Sequence, residues 1–325
     1  MRRIITFLST IILVASTSIG SAADPSLEPQ RLLASGQADA AISSLKARLK
    51  QLPNDAAGWN LLSRAYLLVE KWDAAVSAGE KATSLDPNSS EYHLWLGRAY
   101  GMKAEHSIFV TAIRLAKKVR AEFERAVQLE DRNLAAQSDL AEFFIEAPGF
   151  LGGGVDKARR TAEKIASNDP ATAHWIQARI AEKDKRPSDA EKEYRAAIAA
   201  ARDKAPYYLN VASFYRRLGR YSEMEQAIDN AASAERSHDD VLFEGAELLV
   251  RSGRNFPTAT EWLRRYLTSS DHVESAPTFQ AHYLLGSILE KQGNRQGAAA
   301  EYRQALTLAS AFEPAQEALR RVTNQ

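Results

Sequence analysis

The sequence predicts an all-α solenoid, about eight paired helices stacked in a row and closed by a C-terminal capping helix. Three observations predict it. Apolar residues recur at helical spacing nearly everywhere, with no competing strand-like alternation. A patterned unit returns at intervals near 34 residues. Pro and Gly are sparse, 11 and 16 of 325 residues, while Ala-rich runs such as 196–201 suit closely packed helices.

The clearest unit runs from Ala56 to Ser89. Trp59, Leu62, Ala65 and Tyr66 share one helical face, Ala75, Gly79 and Ala82 a second, and Pro87 ends the unit. Phe279 to Phe312 repeats the pattern, with Leu285, Gly286, Leu289, Gly293, Ala298, Tyr302, Ala305 and Leu308 at matching offsets. One position late in the second helix acts as a ruler: Arg48, Ala82, Ala126, Ile165, Ala197, Ala231, Tyr266 and Ala305. The gaps of 34, 44, 39, 32, 34, 35 and 39 imply a regular repeat with insertions and one short deletion.

These Trp, Leu, Tyr, Ala and Pro positions resemble the tetratricopeptide repeat (TPR), from about residue 25 to the end. The resemblance implies a right-handed superhelix with units at 23–55, 56–89, 90–133, 134–170, 171–204, 205–238, 239–278 and 279–312, and a capping helix at 313–325. One such helix pair cannot bury its apolar side alone, so neighbouring pairs must bury it for each other. Small residues such as Gly97, Ala75 and Ala82 let helices approach, and Trp59, Tyr66, Tyr100, Tyr215 and Tyr302 fill the gaps. Pro53, Pro87 and Pro170 end second helices, and Pro314 suits the first turn of the cap.

The first residues follow a different logic. Arg2 and Arg3 precede an apolar stretch from Ile4 to Ala15, and small residues lead to Gly20-Ser21-Ala22-Ala23. This is the layout of a secretory signal peptide, residues 1–22, and it predicts export, in a bacterium to the periplasm. The apolar run is shorter than the roughly 20 residues that span a bilayer, although an uncleaved anchor is the other reading. The chain has no Cys, which excludes disulfides, cysteine metal sites and a lipid on a signal-peptide cysteine. Lys and Arg number 42 against 41 Asp and Glu, a mixed and near-neutral balance that argues against nucleic acid as a partner.

The repeat breaks twice. The third unit carries about ten extra residues within 101–120. There Ile108, Phe109, Ala112, Ile113, Ala116 and Val119 fall at helical intervals, with Arg114, Lys117, Lys118 and Arg120 on the other side. Either a longer helix pair sends this apolar face into the core, or a basic face meets an acidic partner or membrane surface. The second break, Ala147 to Lys157, holds three consecutive glycines, Gly152 to Gly154. They permit a lengthened turn with positive φ, or their amides hold an anion at a helix start. A phosphate-binding P-loop needs Gly-Lys-Ser/Thr after a strand, and this stretch has neither.

No catalytic constellation stands out. Of six His, His93, His174 and His282 sit at or near the repeat position of Trp59 and read as half-buried packing residues. His238, Asp239 and Asp240 follow Ser237 in what reads as a helix start. There is no His-Glu-x-x-His pair and no Gly-x-Ser-x-Gly elbow. The expectation is a protein that is not an enzyme and that needs no cofactor or metal.

The resemblance implies that a protein or peptide ligand lies in a concave groove lined by first helices. By offset those positions are Asn60, Arg64, Leu68, Leu94, Arg98, Trp175, Arg179, Leu209, Ser213, Phe243, Glu247, Tyr283 and Ser287. Arg64, Arg98 and Arg179 share one repeat position; they receive partner carboxylates, or they pair with acids on neighbouring helices. The chaperone-binding TPR subgroup uses a Lys/Asn/Arg clamp, whereas the equivalent positions here, Asn60, Arg64, Leu94, Arg98, Ser138 and Glu142, do not reproduce it. The functional expectation is an interaction scaffold in envelope assembly or secretion. A small-ligand carrier and a membrane tether through 101–120 are the alternatives.

Overall fold

The computed structural model describes residues 28–234 and 239–324. The expected signal peptide and the helix start read at Ser237 and His238 lie outside them. The described residues form helices throughout, joined by short turns, the architecture of an all-α TPR solenoid.

The helices pair in chain order: α1 (Glu28–Ala34) with α2 (Ala38–Gln51), α3 (Ala56–Leu68) with α4 (Trp72–Leu85), α5 (Ser90–Glu105) with α6 (Phe109–Leu129), and α7 (Leu134–Glu146) with α8 (Val155–Ile165). Then come α9 (Pro170–Lys183) and α10 (Pro187–Ala200), α11 (Ala205–Arg217) and α12 (Tyr221–Ala232), α13 (Asp239–Ser252) and α14 (Phe256–Thr268), and α15 (Thr278–Lys291) and α16 (Arg295–Leu308). The last is α17 (Glu313–Thr323). Local chemistry starts several of them. Ser89, Asn133, Asp169 and Asn294 accept from backbone amides three residues on, filling donors that a helix start leaves open. Pro170, Pro187, Pro206, Pro257 and Pro314 stand in first turns, where the missing N–H costs nothing. Pro170 therefore opens α9; it does not end the helix before it.

Two compact units divide the chain. One spans residues 49–67 and 72–202. Its core is laid down by the ruler: Ala82, Ala126 and Ala197 have 0% exposure and Ile165 3%. The other contains residues 28–48, 68–71 and 203 onward. Ala231, Tyr266 and Ala305 have 0% exposure there. Ala318 and Val322 of α17 close its end over Ala298, Ala299 and Tyr302.

The second unit also takes in the start of the chain. Thr278 Oγ1 donates to the Ser35 carbonyl at 2.7 Å, and the Ser310 amide donates to Asp39 at 2.8 Å. Lys71 pairs with Glu313 at 2.7 Å. Gly36, at φ 71°, lies so close to Thr278 that a Cβ would collide with its amide nitrogen, so only glycine fits. The turn of the first helix pair thus rests on the start of the eighth. Repeat spacing carries no trace of this contact, because it joins residues over 240 positions apart.

The third pair absorbs its extra residues as helix. α5 has 16 residues and α6 has 21, against 14 and 14 in α15 and α16. Two markers place the added length. His93 Nδ1 meets Glu122 at 2.6 Å across 29 residues, and His282 Nδ1 meets Glu301 at 2.7 Å across 19. A Cβ on Gly97 would strike the Phe123 ring at 2.5 Å, and one on Gly286 the Tyr302 ring at 2.5 Å. The second separation is longer in the third pair by the same ten residues. The insertion therefore lies wholly at the hairpin tip, and below it the repeat packs as usual.

Candidate partner-binding surface

The polar positions on the first helices of the first unit are built from arginines and acids. Arg64 on α3 reaches Glu91 at the start of α5 at 3.1 Å, and Asn60 donates to the same carboxylate at 3.5 Å. Arg98 on α5 pairs with Asp139 on α7 at 2.7 Å. The guanidinium carbons of Arg64 and Arg98 each lie 4.6 Å from the Trp95 ring centroid, so one indole holds two cations. Arg179 on α9 bonds Glu142 at 2.5 and 3.1 Å, Glu182 at 2.9 Å and Glu146 at 3.3 Å. Burial works against the Arg179 charge, yet Glu142 and the other acids hold its pKa well above the ordinary arginine value.

The three arginines are thus ties between successive first helices, the pairing reading of the two the sequence left open. Buried charges of this kind need their partners, and Arg179 is only 11% exposed. Leu94, Trp175, Leu209 and Phe243 are exposed by 5% or less and offer no area to a ligand. Asn60, Arg98 and Ser213 are buried as well. These seven side chains are packed within the fold. The resemblance supplied offsets on a helix, and in this chain those offsets turn inward. Leu68, Tyr283, Ser287 and Glu247 are half-buried; Glu247 bonds Arg251 at 3.3 Å, and Tyr283 packs on Tyr302 and Phe312.

The histidines follow the repeat too. His93, His174 and His282 each meet a glutamate on the second helix of their own pair, at 2.6 to 2.7 Å. The bond to Glu122 raises the His93 pKa above the usual histidine value, against the effect of burial. Trp59 Nε1 and His93 Nε2 also meet the carbonyls of Pro53 and Pro87, each six residues earlier, at 2.9 and 3.0 Å. Among the described residues no group of three His, Cys, Asp or Glu is placed to hold a metal ion, and no helix is long and apolar enough to cross a membrane.

Strongly exposed apolar residues cluster elsewhere. Ile108 is 78% exposed, Phe109 57% and Val110 74%, all at the tip of the lengthened third hairpin, and Phe150 on the turn after α7 is 68% exposed. Ala112, Ala116 and Val119 enter the core as expected, but Ile108 and Phe109 do not. Ile108 is the N-cap of α6 and Phe109 its first residue, so the helical period of the apolar residues runs on to the exposed hairpin tip. Arg114 and Lys117 are exposed on the same helix, while Lys118 reaches Glu80 at 3.1 Å and sits 4.5 Å from the Tyr100 ring centroid.

The glycine turn is closed to an anion. The amides of Gly152, Gly153 and Gly154 donate to Gly149, Pro148 and Phe144 carbonyls at 2.9, 3.2 and 2.7 Å. Gly152, at φ 94°, shows the positive φ expected of a lengthened turn.

Tetratricopeptide-repeat family profiles match residues 32–98, 152–206, and 205–238 with 279–312, together more than half of the chain. The chain belongs to the tetratricopeptide-repeat family. No curated protein sequence matches it. Among solved structures, this TPR protein is similar to MamA, with 24% identity over 50% of this chain and 88% of that one, at a TM-score of 0.40. TTC0263, a thermophilic TPR protein in Thermus thermophilus, shares 19% identity over 57% of this chain and 97% of that one, at a TM-score of 0.47. A tetratricopeptide repeat protein from Parabacteroides merdae shares 16% over 83% and 99%, at a TM-score of 0.42. TPR repeats of this kind form protein–protein interaction scaffolds.

Proposed function

We propose that this TPR protein is an exported, non-catalytic scaffold that holds protein partners during envelope assembly or secretion. The observation that carries the reading is the run of stacked TPR pairs. Repeats of this kind create extended binding surfaces. Export rests on the positive, apolar and small-residue order of residues 2–23. Crosslinking and capture of the mature chain from its own envelope fraction tests the proposal. Recovery of a defined set of envelope proteins is expected; retention of the chain in the cytoplasm would contradict it.

A second reading, a tether at a membrane surface, is favoured by the exposed tip residues Ile108, Phe109 and Val110 beside Arg114 and Lys117. Sedimentation with vesicles of anionic and of neutral lipid decides it. Binding confined to anionic vesicles and lost on Phe109→Ser supports a tether, and no binding to either removes it.

A further inference from the structure

The first unit holds an open cavity of about 320 Å³ bordered by α6, α7 and α8. Its size is at the low end for small-molecule sites. Val127, Leu140 and Phe144 form an apolar wall. Across from them α8 supplies Lys157, Arg160, Thr161 and Lys164, a spacing that puts all four on one helical face. No acidic side chain lines the cavity.

The three cations are engaged to different degrees. Lys157 donates to the Gly152 carbonyl at 2.6 Å and lies 5.4 Å from the Phe144 ring centroid. Lys164 has a loose, exposed pair with Asp131 at 3.3 Å. Arg160 has no hydrogen bond or ion pair among the described residues and is exposed. An arginine left free at the mouth of an apolar cavity differs from Arg64, Arg98 and Arg179, which are all paired. Gln137, also on the wall and only 2% exposed, donates to the Asp131 carbonyl.

We infer that this cavity binds an amphiphilic carboxylate, its chain on Val127, Leu140 and Phe144 and its head group on Arg160, with Lys157 and Lys164 beside it. The guanidinium fork matches a carboxylate. The apolar wall rewards a chain by the area it removes from water. A bare inorganic anion would leave that wall wet, and an uncharged chain would leave Arg160 unanswered. The loop of three glycines contributes by shape: its amides are spent on carbonyls, and it delivers the chain into α8 with the cationic face turned to the cavity.

The site is separate from the partner-binding reading and is tested without a partner. Calorimetric titration of the mature protein uses sodium decanoate, decanol and sodium acetate as probes. Saturable decanoate binding is expected, at least tenfold tighter than decanol, with no acetate binding. Arg160→Glu should weaken decanoate at least tenfold with helicity and unfolding midpoint unchanged, since that side chain holds nothing in the fold. Val127→Asp should weaken decanoate likewise from the apolar side. Absent decanoate binding, equal binding of decanol, or decanoate binding indifferent to both substitutions would overturn the assignment.

Discussion

The third helix pair and the eighth carry the same two internal contacts at different chain separations. A histidine on the first helix meets a glutamate on the second, and a glycine on the first helix lies under an aromatic ring of the second. Both separations are ten residues longer in the third pair. Ten residues inserted into the middle of a helix would rotate everything beyond them. Placed at the hairpin tip, they add length to both helices and leave the packed faces in register. The difference between the pairs is therefore reach: the third ends in Ile108, Phe109 and Val110, held out of the core.

The largest effect is expected where first helices are tied together. Arg179→Ala leaves Glu142, Glu146 and Glu182 around a vanished charge and should cost about 3–5 kcal/mol in urea unfolding. A loss below about 1 kcal/mol would show that the arginine is free for a partner after all.

Next come the paired glycines. Gly97→Ala and Gly286→Ala each force a methyl into a ring face and should destabilise by about 1–3 kcal/mol, although alanine is the better helix former. Similar losses at the two sites would sharpen the comparison; a neutral Gly97→Ala would break it.

Glu244 on α13 gives the contrast of an acid without a bridge. Burial, then Asp240 and Glu247, push its pKa up to about 8 from 4.5. Because the folded value is the higher, its uncharged form favours the fold at low pH, and stability is lost as pH rises from about 4.5 through 8. Glu244→Gln should therefore match the parent near pH 4.5 and exceed it above pH 8 by roughly 1–3 kcal/mol. A parallel pH profile for the two proteins would remove the effect. The smallest change belongs to the tip: replacing Ile108, Phe109 and Val110 by Ser should shift stability by only about 0.5 kcal/mol each way, as thermal unfolding would show.

The helix pairs and the TPR membership were legible because stacking repeats the same demand for small and apolar residues at fixed offsets. Ala82, Ala126 and Ala305 are buried for the reason the spacing gave. The surface was not legible in the same way. Offsets choose a helix face, but Leu94 and Trp175 show that packing with the next pair decides whether that face meets water. The Arg98–Asp139 pair joins helices 41 residues apart, and the Ser35–Thr278 contact far more, so neither leaves a local pattern. The exposed tip had a signal in the ten-residue excess; the period of its apolar residues masked it.

The most direct test is a pair of double-mutant cycles at pH 6, one across His93 and Glu122 and one across His282 and Glu301, each with Gln replacements. The raised His93 pKa means that this bridge's stability is fully present below the unfolded histidine value of 6.5 and is lost as pH rises through the folded value. Coupling of about 1 kcal/mol in both cycles, equal within about 0.5 kcal/mol, is the result expected if the insertion stops at the tip. Coupling across His282 and Glu301 with none across His93 and Glu122 would contradict it.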